Sequence, residues 1–152
     1  MRHPGLIFLA ALSACAPAVG DGPPFPIAAD LAASARVGRV TMQSDMFNVP
    51  DDFSRLFATE VAGSLVECAR GQRTLNLKVF IHELDRNGDL LESDGRTRLP
   101  AVAELSTPDG RVVGRYDLRI DLPGAETLEA RRVAVSRAIG IQLCRTAFAP
   151  ES

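Results

Sequence analysis

The chain has 152 residues, with 17 Lys and Arg against 19 Asp and Glu, giving a net charge of −2. So weak an acidic balance carries no electrostatic footprint for nucleic acid. The length suits one ordinary domain, and the sequence lacks a glycine-rich phosphate loop, an HExxH zinc motif and a GxSxG nucleophile elbow.

Arg2 and His3 make a short basic start, and Gly5 to Ala11 form an apolar run. That run is far shorter than the roughly 20 residues a bilayer-spanning helix needs. Small residues then lead into Cys15, an order of parts that describes an export signal. Leu12, Ser13, Ala14 and Cys15 resemble the lipobox of bacterial lipoproteins at all four positions. The resemblance implies removal of residues 1–14, a diacylglyceryl group on the Cys15 sulfur and acylation of the new amino terminus. Ala16, where inner-membrane lipoproteins carry Asp, implies an outer-membrane anchor with the domain facing the periplasm. The other reading of Cys15 is an ordinary small residue in an uncleaved leader. No polybasic strip follows it, so attachment would rest on the acyl chains, at about 0.8 kcal/mol per buried methylene.

Residues 15–36 are rich in Pro, Gly and Ala without a sustained period and read as a tether. About 20 such residues would span at most 65–70 Å. A single periplasmic domain is expected over residues 37–149. Val37 to Met42 reads as a first strand, weakened by Gly38. Pro50 disfavours helix at Val49, and Asp51 and Asp52 suit a helix start. Phe53, Leu56, Phe57, Val61, Leu65 and Cys68 then fall at spacings of three and four, one apolar stripe that ends at Gly71.

Leu75, Leu77, Val79 and Ile81 alternate with Asn76, Lys78, Phe80 and His82, the pattern of a strand with one buried face. Residues 85–98 read as a charged hairpin connection. Residues 99–105 and 112–122 form two further strands joined by the turn Thr107-Pro108-Asp109-Gly110. After Pro123-Gly124, a second helix places Leu128, Arg132, Val135, Ile139, Leu143 and Thr146 on one stripe. Gly140 weakens that helix by about 1 kcal/mol relative to Ala.

The resulting expectation is an α+β two-layer sandwich of order β-α-β-β-β-α. A mainly antiparallel four-stranded sheet carries two helices on one face. With Cys15 assigned to lipid, Cys68 and Cys144 remain, and an even pair in an oxidising compartment reads first as a disulfide. Up-and-down tracing runs both helices the same way and brings the two sulfurs to one end of the sandwich. Two separate buried thiols are the alternative.

Chemistry is sparse. His82, next to Glu83, could act as a general base, yet it lies on the outward face of its strand. Asp85, Asn87, Asp89, Glu92 and Asp94 resemble an acidic calcium loop, but Gly88 comes too early and Leu90 stands where Gly is required. Arg111, Arg115 and Arg119 on the last strand and Arg131, Arg132 and Arg137 on the second helix are interleaved with acids and read as a mixed solvated surface. No metal ion or other cofactor is expected.

The element order is similar to that of small envelope lipoproteins of lipopolysaccharide assembly and transport. This likeness implies a non-enzymatic adaptor binding an envelope protein partner, at a free sheet edge of the first or last strand. The competing reading is a lipid-anchored hydrolase or metal-dependent enzyme built from His82 and residues 85–94.

Overall fold

The computed structural model describes residues 22–44 and 49–149. The leader and Cys15 lie outside them. In chain order the elements are α1 (Ala29–Ser34), β1 (Ala35–Ser44), α2 (Asp51–Leu65), β2 (Arg73–Ile81), β3 (Arg96–Ser106), β4 (Val112–Pro123) and α3 (Leu128–Ala147). The strands form one sheet in the order β1-β2-β3-β4.

The fold is α+β, with two corrections to the expected architecture. The sheet is mixed, because β1 pairs with β2 in parallel while β2/β3 and β3/β4 are antiparallel. A strand followed by a helix returns the chain to the end where it started, so β1-α2-β2 is a crossover unit and its strands run the same way. Secondly, α1 precedes β1, making the order α-β-α-β-β-β-α. The stretch expected to be a tether through residue 36 is partly folded domain. Ile27, Leu31 and Ala35, four residues apart, are 7%, 9% and 0% exposed. The Ile27 N–H donates to the Tyr116 hydroxyl at 2.8 Å. Phe25 exchanges backbone hydrogen bonds with Arg115 at 3.0 and 2.8 Å, lying along the outer edge of β4.

One face of the sheet is apolar because Leu75, Leu77, Val79 and Ile81 of β2, Leu99, Ala101, Ala103 and Leu105 of β3, and Leu118 and Ile120 of β4 alternate along their strands. They share one core with Phe53, Phe57, Val61 and Leu65 of α2 and Val135, Ile139 and Leu143 of α3. Both helices therefore lie on that face, α2 against β1 and α3 against β4. Asp51 and Asp52 occupy the first turn of α2, where carboxylates oppose the positive end of the helix dipole. The Thr127 hydroxyl caps α3 by accepting from the Ala130 N–H at 3.1 Å. The buried stripe of α3 also takes in Ser136, Gly140 and Ala147, whereas Leu128 is 41% exposed. A disulfide joins Cys68 to Cys144, with 5.6 Å between their Cα atoms, and ties the C-terminal ends of α2 and α3 together.

Candidate functional site

His82 follows the last residue of β2 and is exposed, its ring 5.1 Å from that of Phe80. Phe80 alternates with the buried Val79 and Ile81, so this pair belongs to the sheet face turned away from the helices. The acidic loop goes elsewhere. Asp85 Oδ1 accepts from the backbone N–H groups of Asn87 and Asp89 at 2.8 and 2.9 Å, closing an Asx-type turn. Leu84 and Leu90, bridged to one another, are 8% and 3% exposed, so residues 84–90 fold onto the core. A second tight turn follows, in which Ser93 and Arg96 exchange hydrogen bonds across Asp94 and Gly95. Both central residues have positive φ, 54° and 67°, as a type I′ turn requires.

Helix α3 engages two further loop carboxylates, Asp89 and Glu92. The Arg132 guanidinium binds Asp89 through Nε at 2.9 Å and through Nη2, and its Nη1 reaches Asp52 Oδ2 at 2.8 Å. The same group lies 4.9 Å from the centre of the Phe53 ring, close enough for a cation–π contact. Asp89 comes first among the causes that raise the Arg132 pKa above its ordinary value. The hydrogen bond from Arg132, followed by the backbone N–H of Phe53, holds the Asp52 carboxyl below its usual range. Arg131 binds Glu92 at 2.6 Å and donates to the Leu90 carbonyl at 3.3 Å. Sequence reasoning missed this network. Its signal was two adjacent arginines on a helix facing an acidic loop across some forty positions, a separation no local pattern reveals.

The two halves of the alternative, enzymatic site are therefore divided. His82 stands with Phe80 on the open sheet face, and Asp89 and Glu92 are ion-paired to the helix layer. Among the described residues no three His, Cys, Asp or Glu side chains gather where they could hold a metal ion. Two more of the singled-out basic residues are similarly engaged, Arg137 on Glu60 at 2.6 Å and Arg115 on Glu104 at 2.5 Å.

Each edge strand of the sheet carries one isolated bridge from a neighbouring segment. At β4, the Phe25 strand pairs with Arg115, whose guanidinium lies 5.9 Å from the Phe25 ring centre. Glu104, only 7% exposed, anchors that arginine from β3. At the other edge β1 pairs with β2 and is also bridged at Arg36 by Arg70, where the Gly71 N–H donates to the Ala35 carbonyl at 2.8 Å. Beyond that bridge Gly38, Arg39 and Gln43 are exposed, and the register shifts between Val37 and Arg39.

No protein-family model matches the sequence, and no curated protein sequence matches it. Solved structures do. A PelC dodecamer from Paraburkholderia phytofirmans is similar at a TM-score of 0.52 and 14% identity, covering 82% of this chain and 96% of that one. A variant of the same PelC gives 0.48 at 13% identity, covering 83% and 96%. A Caulobacter crescentus CB15 chain, provisionally named a lipoprotein, gives 0.36 at 14% identity, covering 70% and 82%. The first likeness shows a shared fold.

Proposed function

We propose that this chain is an outer-membrane lipoprotein, anchored through Cys15, whose periplasmic domain is a non-enzymatic adaptor taking a partner's strand along the open edge of β1. The observation that carries the reading is the stretch of β1 beyond Arg36, whose outer side no described segment pairs with. Phe25 bridges β4 at Arg115 and Arg70 bridges β1 at Arg36, while the backbone donors and acceptors on the outer side of β1 from Arg39 to Ser44 are ones a partner strand can pair. Phe25 on β4 illustrates how an extended segment adds to this sheet. The lipobox supports the anchor. The dodecameric state of PelC, which has this fold, makes a second copy of the chain one candidate partner.

The test has two independent arms. Labelled palmitate should enter the native chain and be absent from Cys15→Ser; equal labelling overturns the anchor. A photo-crosslinking residue at Arg39 or Gln43 should give one protein adduct of defined mass in intact cells, and the same residue at Glu129 on α3 should give none. Absent or uniform crosslinking overturns the strand-binding surface while leaving the anchor in place. His82→Ala should leave the adduct unchanged.

A further inference from the structure

Arg36 and Arg39 are three positions apart on β1, and in an unbroken strand their side chains would point to opposite faces. Gly38 changes this. Arg36 lies opposite Thr74 and Arg39 opposite Asn76, with Gly38 left unpaired between them, the arrangement of a β-bulge. Thr74 and Asn76 alternate with the buried Leu75 and Leu77, so both arginines stand on the sheet face turned away from the helices. Lys78 of β2 adds a third cation to that face. Its neighbour across the β2/β3 ladder, Glu104, is already bound by Arg115 through Nε and Nη2. The acids of this face, Glu104, Asp117 and Asp121, all lie on β3 and β4. Neither β1 nor β2 contains an Asp or a Glu, in a chain whose net charge is −2. On the helix side, Val40 and Met42 of β1 align with Leu77 and Val79 and pack against the core.

We infer that the strand this edge accepts belongs to another protein and alternates, acidic toward the open face and apolar toward the helices. The inference rests on the reading of β1 as the pairing edge and adds the chemistry of the partner. A strand laid along residues 39–44 sets its side chains beside Arg39, Thr41 and Gln43 on one face. On the other face they meet Val40 and Met42, because successive residues alternate. Side chains directly opposite one another come within about 4.5–5.5 Å, where unlike charges attract and like charges repel. The unmatched positive charge of β1 and β2 therefore admits carboxylates and turns basic strands away, so that repulsion sharpens the choice. The other edge strand of the chain, β4, presents Arg115, Asp117, Arg119 and Asp121 on this face. Those charges cancel, so β4 of a second copy does not supply the complement.

A fluorescein-labelled octapeptide alternating Val and Glu, titrated into the full chain carrying Cys15→Ser, should bind saturably by anisotropy. A peptide alternating Val and Lys should not bind. A block peptide of the same composition, with every Val before every Glu, should bind about fivefold more weakly than the alternating one. Arg39→Glu with Lys78→Glu should weaken the acidic peptide about tenfold and should now bind the Val-Lys peptide. The same charge change at Arg98 and Arg119, on the other half of the face, should alter neither. If the double reversal fails to fold, Arg39→Gln and Lys78→Gln serve, each weakening the acidic peptide by about threefold. Equal binding of the block and alternating peptides, or no binding of the alternating acidic one, overturns the inference. So does self-association of the chain that the reversal abolishes, which would make a second copy the occupant. In intact cells, the protein adduct from a crosslinking residue at Gln43 should be lost in the double reversal. An adduct that persists at full yield overturns the acidic partner and leaves the pairing edge standing, whereas no adduct from the unaltered chain removes both.

Discussion

Gly140→Ala should destabilise the domain, although helix propensity alone favours it. Gly140 is buried where α3 crosses α2. A Cβ built there would lie 2.5 Å from Ser64 Cβ and 3.2 Å from the Val61 carbonyl oxygen. Both neighbours are backbone or bound directly to it, so no flexible side-chain tip can swing away. Ala in place of a mid-helix Gly gains about 1 kcal/mol, while forcing an extra methyl into a packed interface costs about 1–3 kcal/mol. The steric term wins, and the net loss should be about 1 kcal/mol. Urea unfolding with the disulfide intact measures it. A cycle with Ser64→Gly isolates the cause. Once Ser64 Cβ is gone, Gly140→Ala should become neutral or favourable, giving a coupling of about 1–3 kcal/mol between the sites. A raised midpoint for Gly140→Ala, or a coupling near zero, would refute the close-crossing argument.

Removing the disulfide by Cys68→Ala with Cys144→Ala opens a loop with a sequence separation of 76. It should cost about 4–5 kcal/mol on the chain-entropy account, read as the fall in unfolding free energy; a loss below 1 kcal/mol would contradict that account. Asp89→Asn leaves the guanidinium of Arg132, whose side chain is 12% exposed, with only Asp52 as a charged partner. Because Asp52 remains, the cost should be about 2–3 kcal/mol, below the 3–5 of a fully orphaned buried charge; an unchanged denaturation midpoint would contradict it. Since Arg132 holds the Asp52 pKa below 3.8, Asp52 contributes stability that is present above that value and lost as pH falls through its folded pKa. The gap in urea midpoint between the native chain and Asp52→Asn should therefore close in acid, and a constant gap from neutral pH to pH 2 would rule out the linkage.

What the sequence made legible was periodicity. The four-residue spacing of Phe53, Phe57, Val61 and Leu65 and the strict alternation from Leu75 to Ile81 each name a buried face without outside help. Relations between elements were harder to read. The parallel β1/β2 pairing follows from the crossover helix, yet alternating strands pointed to antiparallel neighbours. Helix α1 escaped notice because its apolar positions, Ile27, Leu31 and Ala35, sit among prolines and alanines that mask a short period. Gly140 appeared as a weakness in one helix, since its partner Ser64 lies far away in sequence. The acidic loop resembled a cation site for the same reason: Arg131 and Arg132, which neutralise it, arrive some forty residues later.

The folded N-terminal segment also changes what the anchor can do. A tether running to residue 36 would let the domain roam, but Phe25 is bonded to β4 and Gly22 packs on the Arg115 guanidinium. Seven positions separate Cys15 from Gly22, at most about 25 Å of extended chain. An anchor at Cys15 would thus hold the β4 edge near the bilayer. The β1 edge, three strand spacings away or about 14 Å, would be the side free to receive a partner. Inserting about a dozen flexible residues after Cys15 should then reduce crosslinks from position 25 to lipid and leave those from Arg39 to protein unchanged. A loss at Arg39 that tracks tether length would mean that the partner contacts depend on closeness to the membrane, and the assignment of the two edges would be wrong.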